Sequence, residues 1–188
     1  MINVIQKKQE IGIVKKQDIL ENQVNRVYLS LGSNLGKRIH NLELAKFALF
    51  TKGVHILKSS KFYKTDSWPN KKFPYYLNIV LFVKTNLGLL ELFEKVKFIE
   101  KMMGRKNDKK NYPRICDIDI IDFNGICLKT KINNQNIVVP HINMHKRNFV
   151  LMPLYEVNKS WFHPKIKKNV IYLLSKLSIK DLRAIKFT

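Results

Sequence analysis

Asp117 and Asp119 stand two residues apart in Pro113-Arg114-Ile115-Cys116-Asp117-Ile118-Asp119-Ile120-Ile121, a run otherwise apolar enough to be a buried strand. A strand turns alternate side chains to opposite faces, so the two carboxylates share one face while Cys116, Ile118 and Ile120 share the other. Neighbouring carboxylates repel and are costly to desolvate, so a cation belongs between them, and the hard, oxygen-seeking candidate is Mg²⁺. A solvated acidic surface strand is the plainer alternative for an isolated D-x-D. It weakens here because only fourteen Asp and Glu oppose thirty-five Lys and Arg, and two of those acids converge on one strand.

Three arginines lie near this pair. Arg105 ends a helical pattern, Arg114 precedes Asp117 by three residues, and Arg147 follows His141 by six. A planar guanidinium suits phosphate, and basic groups beside metal-binding carboxylates are what a polyphosphate needs. His141 reads equally as a core histidine or as a phosphate donor. A second cluster, Thr65, Trp68, Phe73, Tyr75, Tyr76, Asn78 and Phe149, offers aromatic faces to stack on a flat heterocycle and an amide to read its edge. Packing alone also accounts for such residues. Gly32-Ser33-Asn34-Leu35-Gly36 is neither G-x-G-x-x-G nor a P-loop, so neither a Rossmann nor a Walker site is supported.

The positioning elements follow from periodicity. Residues 27–31 read as a strand, residues 32–36 as a turn-rich loop, and Leu42, Ala45, Leu49 and Phe50 as one face of a helix. Residues 54–64 read as a second strand, 66–74 as a loop, and 76–84 as a buried central strand. Leu89, Leu92, Phe93, Val96 and Ile99 place a helix over 87–103, which Gly104 can close. Residues 106–112, polar and without apolar anchors, read as a mobile loop before the D-x-D strand. Asn124-Gly125 favours a two-residue hairpin turn that sets Cys127 opposite Asp122 and Cys116 opposite Asn133, so the thiols are not partners. Short helices are expected around 149–154 and 170–177. The order strand, helix, strand, strand, helix, strand is the ferredoxin-like split βαβ arrangement, an α+β fold with an added C-terminal hairpin and short helices.

A chain of 188 residues with 45% hydrophobic content builds one domain, expected over 25–188, with 1–24 as a basic tail outside the core. The net charge of +21 suggests nucleic acid or an anionic surface. Twenty-nine of the basic residues are Lys and six are Arg, in a chain crowded with Ile and Asn, which reads as compositional bias filling solvated positions. Free cysteines, no apolar run long enough for a membrane span and no secretory signal point to the cytoplasm.

Taken together, Leu31-Gly32-Ser33-Asn34-Leu35-Gly36, Phe62-Tyr63-Lys64-Thr65, Tyr76-Leu77-Asn78, Ile99-Glu100 with Gly104-Arg105, the P-R-x-x-D-x-D run, and Val139-Pro140-His141 through Arg147-Asn148-Phe149-Val150-Leu151 resemble the 6-hydroxymethyl-7,8-dihydropterin pyrophosphokinases. The resemblance runs in order from about Val27 to Phe162. It implies a ferredoxin-like fold and transfer of the β,γ-pyrophosphoryl group of ATP to the pterin hydroxymethyl oxygen in folate biosynthesis; a monomer is expected. Asp117 and Asp119 would hold two Mg²⁺ ions, Arg105 and Arg114 would stabilise phosphate charge, and Glu100, His141 and Arg147 would serve the nucleotide. Tyr76 and Phe149 would sandwich the pterin while Thr65 and Asn78 read its edge. Residues 106–112 would close over ATP. Asn107 stands where the family commonly has a second arginine, and Asn111-Tyr112 where it commonly has a tryptophan.

The rival from another class is a ferredoxin-like RNA-binding module, favoured by charge but lacking the K/R-G-F/Y-G/A-F-V strand. It also leaves Asp117 and Asp119 facing a polyanion without a role.

Overall fold

The computed structural model describes residues 24–68, 70–105, 112–132 and 135–187. The tail over residues 1–23 and most of the expected closing loop, including Asn107 and Asn111, lie outside the described residues. Strand β1 (Asn25–Ser33) leads into helix α1 (Arg38–Thr51), then β2 (Val54–Ser59), β3 (Tyr63–Thr65), β4 (Tyr76–Thr85), helix α2 (Leu89–Met102) and β5 (Asp117–Phe123). Every pairing is antiparallel: β1 lies between β4 and β5, and both β2 and β3 pair with the far edge of β4. The expectation of an α+β fold is met.

Alternation along these strands builds two layers. Val27, Leu29 and Leu31 of β1, Leu77, Ile79, Leu81 and Val83 of β4, and Ile118 and Ile120 of β5 pack under α1 and α2, which contribute Leu42, Ala45, Leu49, Leu92, Val96 and Ile99. The opposite sheet face is divided. Tyr28, Val80 and Ile121 carry a second core beneath α3 (Asn148–Val157) and α4 (Val170–Ser175), with Leu151, Leu154 and Trp161. Toward the other end of the same face stand Ser30, Gly32, Tyr76, Asn78, Asp117 and Asp119, which line a cavity instead. Asp122 locks the second core: Trp161 Nε1 donates to its carboxylate at 2.7 Å and Gly125 N–H at 2.9 Å. Its register shifts by one residue against β1 between Tyr28 and Leu29, so that Ile121 is left without a partner on β1.

Several expected boundaries differ. The single strand over 54–64 is two strands, because Ser60 pairs with Val80 through its side chain as well as its backbone: Val80 N–H donates to Ser60 Oγ at 3.0 Å, and Ser60 N–H to Val80 O at 2.9 Å. Gly32 and Ser33 continue β1 rather than opening the loop, since they pair with Asn78 and Leu77. The Asn124-Gly125 turn forms, with φ of 52° and 65° and an Ile126 N–H to Phe123 O bond of 3.0 Å. It does not continue into a β5 hairpin. Asn124 is instead spent on β1, accepting from Arg26 N–H at 2.7 Å and donating to Asn25 Oδ1 at 2.6 Å. Strand β6 (Leu128–Ile132) pairs with β7 (Gln135–Val139), so the expected facing of Cys127 with Asp122 is not made. Cys116 is buried and Cys127 exposed, both free.

Phe50 is exposed, its ring edge-on to His55. The two-residue ladder of β8 (Phe162–His163) with β9 (Lys168–Asn169), the short α5 (Ile179–Arg183), and β10 (Lys186–Phe187) against β3 were not anticipated. Among the described residues no helix is long and apolar enough to cross a membrane.

Replacing Asp122 by Ala strands the buried Trp161 N–H and releases the turn, a loss of about 2–3 kcal/mol. Urea unfolding monitored by Trp161 fluorescence measures it, and an unchanged midpoint would remove Asp122 from this role.

Candidate active site

The charged end of the site begins with the way α2 stops. Gly104, at φ 92°, lets Arg105 N–H reach back to Glu100 O at 3.0 Å while Gly104 N–H bonds Lys101 O at 3.0 Å, a Schellman closure. That turn returns the Arg105 side chain over Glu100, whose carboxylate has no solvent exposure. Glu100 takes Arg105 Nη1 at 2.6 Å, Lys97 Nζ at 2.8 Å and the Ile118 N–H of β5 at 2.8 Å. Burial pushes its carboxyl up, and the Lys97 charge works against that.

Arg105 Nη1 also lies 2.9 Å from Asp117 Oδ1, and Arg114 Nη1 lies 3.0 Å from the same oxygen. Burial raises the Asp117 carboxyl, but the two guanidinium groups outweigh it and hold it below the usual range. Asp119, next on the same face, has Arg147 Nη1 at 3.7 Å. Burial, then the charge of Asp117, pushes Asp119 up to about 6. A positive charge placed beside it would favour its ionised form. Two carboxylates on one strand face suit a hard divalent ion that takes its other ligands from phosphate and water. Among the described residues no cluster of three or more His, Cys, Asp or Glu could cage a metal alone.

His141 follows β7, with its N–H on Ile121 O at 3.2 Å. Burial and the nearby Arg147 push its imidazole down to about 4, so it is neutral at pH 7. Because Nδ1 accepts Asn143 N–H at 3.3 Å, the ring proton belongs on Nε2, the donor left for a ligand.

The other end of the cavity, which has a volume of about 860 Å³, is aromatic and amide-bearing, with Asp66 and Lys71 on its wall. Tyr76 opens β4, and Phe149 lies in the first turn of α3 beside Arg147, whose guanidinium sits 5.5 Å from its ring. Asn78 Nδ2 donates to Thr65 Oγ1 at 3.0 Å and to Tyr63 O at 3.3 Å. Its Oδ1 therefore remains an acceptor, and the Thr65 hydroxyl proton remains free to donate. Gly32 leaves little room beside it: a Cβ there would meet Asn78 Oδ1 at 3.1 Å, pressing on an amide held by two hydrogen bonds, and the Tyr76 ring at 3.5 Å.

Arg105, Arg114, Asp117, Asp119, His141, Arg147, Thr65, Tyr76, Asn78 and Phe149 all line this one cavity, as does Trp68. Glu100 does not; it lies behind the wall. Phe73 and Tyr75 are elsewhere: the Tyr75 ring is held between Arg38 at 4.0 Å and Lys64 at 4.1 Å, and Phe73 rests against Tyr112 at 5.7 Å. Lys97, Asn143, Lys146 and Ala184 were missed. Lys97 left a signal, one turn before Glu100 on an otherwise apolar helix face, whereas Ala184 arrives from the unanticipated α5. A smaller cavity of about 250 Å³ adjoins, walled by Phe93, Ile120, Ile137 and Val138 with Gln135 and Asn136, and shares Lys97, Asp119 and His141 with the first.

Residues 28–159 match the family model described as 7,8-dihydro-6-hydroxymethylpterin-pyrophosphokinase. The chain is 37% identical over 142 residues to a 2-amino-4-hydroxy-6-hydroxymethyldihydropteridine pyrophosphokinase of Aquifex aeolicus, covering 76% of this chain and 86% of that protein. It is 31% identical over 172 residues to a folic acid synthesis protein of Pneumocystis carinii, covering 92% of this chain but spanning only 22% of that longer protein. Among solved structures, a Plasmodium falciparum HPPK-DHPS with pterin and p-hydroxybenzoate aligns with a TM-score of 0.72 over 89% of this chain and 45% of that one. At 16% identity that likeness is one of fold.

Because the folded protein raises the Asp119 carboxyl, it binds that proton more tightly than the unfolded chain does. The ionised carboxylate therefore destabilises the metal-free fold by an amount that grows as pH rises from the ordinary carboxylate range through about 6 and is constant above that. Asp119→Asn is expected to raise the melting temperature in EDTA at pH 8 and to leave it nearly unchanged at pH 3; equal shifts at both would show that Asp119 is not strained.

Proposed function

The chain belongs to the 7,8-dihydro-6-hydroxymethylpterin-pyrophosphokinase family, and on that premise we propose that it makes AMP by transferring the β,γ-pyrophosphoryl group of ATP to the hydroxymethyl oxygen of 6-hydroxymethyl-7,8-dihydropterin, a folate-pathway step. The observation that carries the reading is one cavity with two chemically different ends. Asp117, Asp119, Arg105, Arg114, His141 and Arg147 meet at one, and Thr65, Tyr76, Asn78 and Phe149 at the other.

The hydroxymethyl oxygen attacks the β-phosphorus, the bond to the α,β-bridging oxygen breaks, and the hydroxyl proton is released. Asp117 and Asp119 would hold Mg²⁺, two ions with ATP, which supplies charge neutralisation on the triphosphate and polarises the attacking oxygen. Arg105 and Arg114 neutralise charge that builds on the phosphates, held in place before reaction by Asp117 and, for Arg105, Glu100. Neutral His141 donates from Nε2 to a phosphate oxygen without adding charge, and Arg147 supplies a fork to another. The smaller cavity, whose apolar walls and amides lie beyond the Lys97, Asp119 and His141 that it shares with the first, suits the adenine ring. Tyr76 and Phe149 stack on the pterin, Asn78 Oδ1 accepts from its edge, and Thr65 donates.

The strand order β2-β4-β1-β5 with α1 and α2 on one face supports the ferredoxin-like split βαβ reading, with 25–188 as a single pyrophosphokinase domain acting as a monomer. Two free thiols suit a reducing compartment such as the cytoplasm. The RNA-binding alternative is disfavoured. Its stacking aromatics would stand on an open sheet face, and here α3 and α4 cover half of that face while Asp117 and Asp119 line the remainder.

Release of AMP from ATP and Mg²⁺ only when the pterin is present tests the reaction. Asp117→Ala and Asp119→Ala are expected to cut it at least about 10³-fold with the fold retained by circular dichroism, and activity surviving either change would sink the metal assignment. Gly32→Ala is expected to raise KM for the pterin about tenfold, the equivalent of about 1.4 kcal/mol, with KM for ATP little changed.

A further inference from the structure

Asn34 has no role in the reaction as described, yet it is 1% exposed and bonds to both sides of the cavity. It follows β1 directly. Its Oδ1 accepts Arg114 N–H at 2.8 Å, and its own N–H donates to Arg114 O at 3.2 Å. Its Nδ2 donates to Ser67 Oγ at 3.1 Å and to Pro74 O at 3.3 Å, and Ser67 Oγ donates onward to Pro74 O at 2.6 Å. One buried amide therefore joins the backbone of Arg114, at the phosphate end, to both ends of the loop that brings Ser67 and Trp68 to the cavity wall.

Two further ties from this loop are weaker. Its Lys71 to Asp66 pair, at 3.6 Å, is 74% and 64% exposed and contributes little in water. The Phe73 to Tyr112 contact is an outer one, with Tyr112 48% exposed. A buried amide is costly to leave unpaired, and hydrogen bonds fail steeply once distance or angle slips. Displacing Arg114 while the loop stays, or the loop while Arg114 stays, breaks one arm of Asn34; moving both together breaks neither.

We infer that Asn34 is a positioning residue that couples the phosphate end of the site to the pterin end, so that a ligand ordering Arg114 also orders the Ser67–Pro74 wall; this rests on the pyrophosphokinase reading above. Linkage makes the effect reciprocal, with each substrate tightening the other by one factor. The amide's polarity is part of the device. Asn34→Asp keeps the acceptor for Arg114 N–H but loses both donors to the loop, whereas Asn34→Ala loses both arms.

The test is isothermal titration of the full chain with 6-hydroxymethyl-7,8-dihydropterin, with and without saturating Mg²⁺ and α,β-methylene-ATP. In the wild type the nucleotide analogue is expected to tighten pterin binding at least about fivefold. In Asn34→Asp and Asn34→Ala that factor is expected to fall to within about twofold of unity while the analogue alone binds nearly as in the wild type, and KM for the pterin rises by the factor lost with kcat less affected. A merely structural role would weaken both ligands alone and leave the factor standing. An unchanged factor in the variants, or no coupling in the wild type, overturns the inference and leaves the reaction assigned. Failure of the wild type to bind either ligand overturns both. Should both variants fail to fold, Ser67→Ala decides: removing that arm alone halves the factor if the inference holds, and an unchanged factor overturns it.

Discussion

A carboxylate with no exposure to water ties the charged end of this site together. Glu100 takes Arg105 and Lys97 from its own helix end and the Ile118 N–H from the neighbouring strand. A lone buried carboxylate is among the most expensive groups a protein can hold, so those three partners are not optional. Satisfying it fixes the distance between α2 and β5, and with it the line on which Arg105, Arg114 and Asp117 meet. Asp119, by contrast, is left with Arg147 at 3.7 Å, and that shortfall is where a ligand's charge can be felt.

The sheet supplies the second constraint. Period-two alternation sends the odd residues of β1 into the main core and the even ones to the far face, where Tyr28 meets hydrocarbon and Ser30 and Gly32 meet the cavity. One face thus serves as hydrophobic floor at one end and cavity floor at the other. The shift in β5 pairing near Ile121 marks the boundary. The stability of this end comes from packing and from Asp122, so the polar residues at the other end are free to be chosen for chemistry.

Much of this was legible in the residues. The D-x-D strand is readable because carboxylates are scarce in so basic a chain, and the three nearby arginines because Arg has been kept where Lys is the default. Helix α2 and its Gly104 stop follow from spacing. Less visible were events depending on partners distant in sequence. Asn124-Gly125 signals a hairpin locally, but Asn124 bonds residues ninety-eight and ninety-nine positions away and takes the turn to β1. Ser60 breaks an apparently continuous strand through one hydroxyl on Val80. Two-residue ladders and the five-residue α5 have no periodicity to read. Glu100 was expected on the nucleotide side from the sequence, but its complete burial behind the cavity wall, where it braces Arg105, is a property of packing alone.

Asn78 has both amide hydrogens committed inside the protein, to Thr65 and to the Tyr63 carbonyl. The oxygen it offers cannot be exchanged for a nitrogen by turning the amide over, since that would set a lone pair against the Tyr63 carbonyl. The site therefore has a fixed hydrogen-bond polarity at this point, independent of ring size or shape. A flat heterocycle presenting a ring acceptor there would stack equally well between Tyr76 and Phe149 and still be refused. Discrimination of this kind against unpaired polar groups reaches about 10⁴-fold in sites built for it, far more than a change of one methylene achieves.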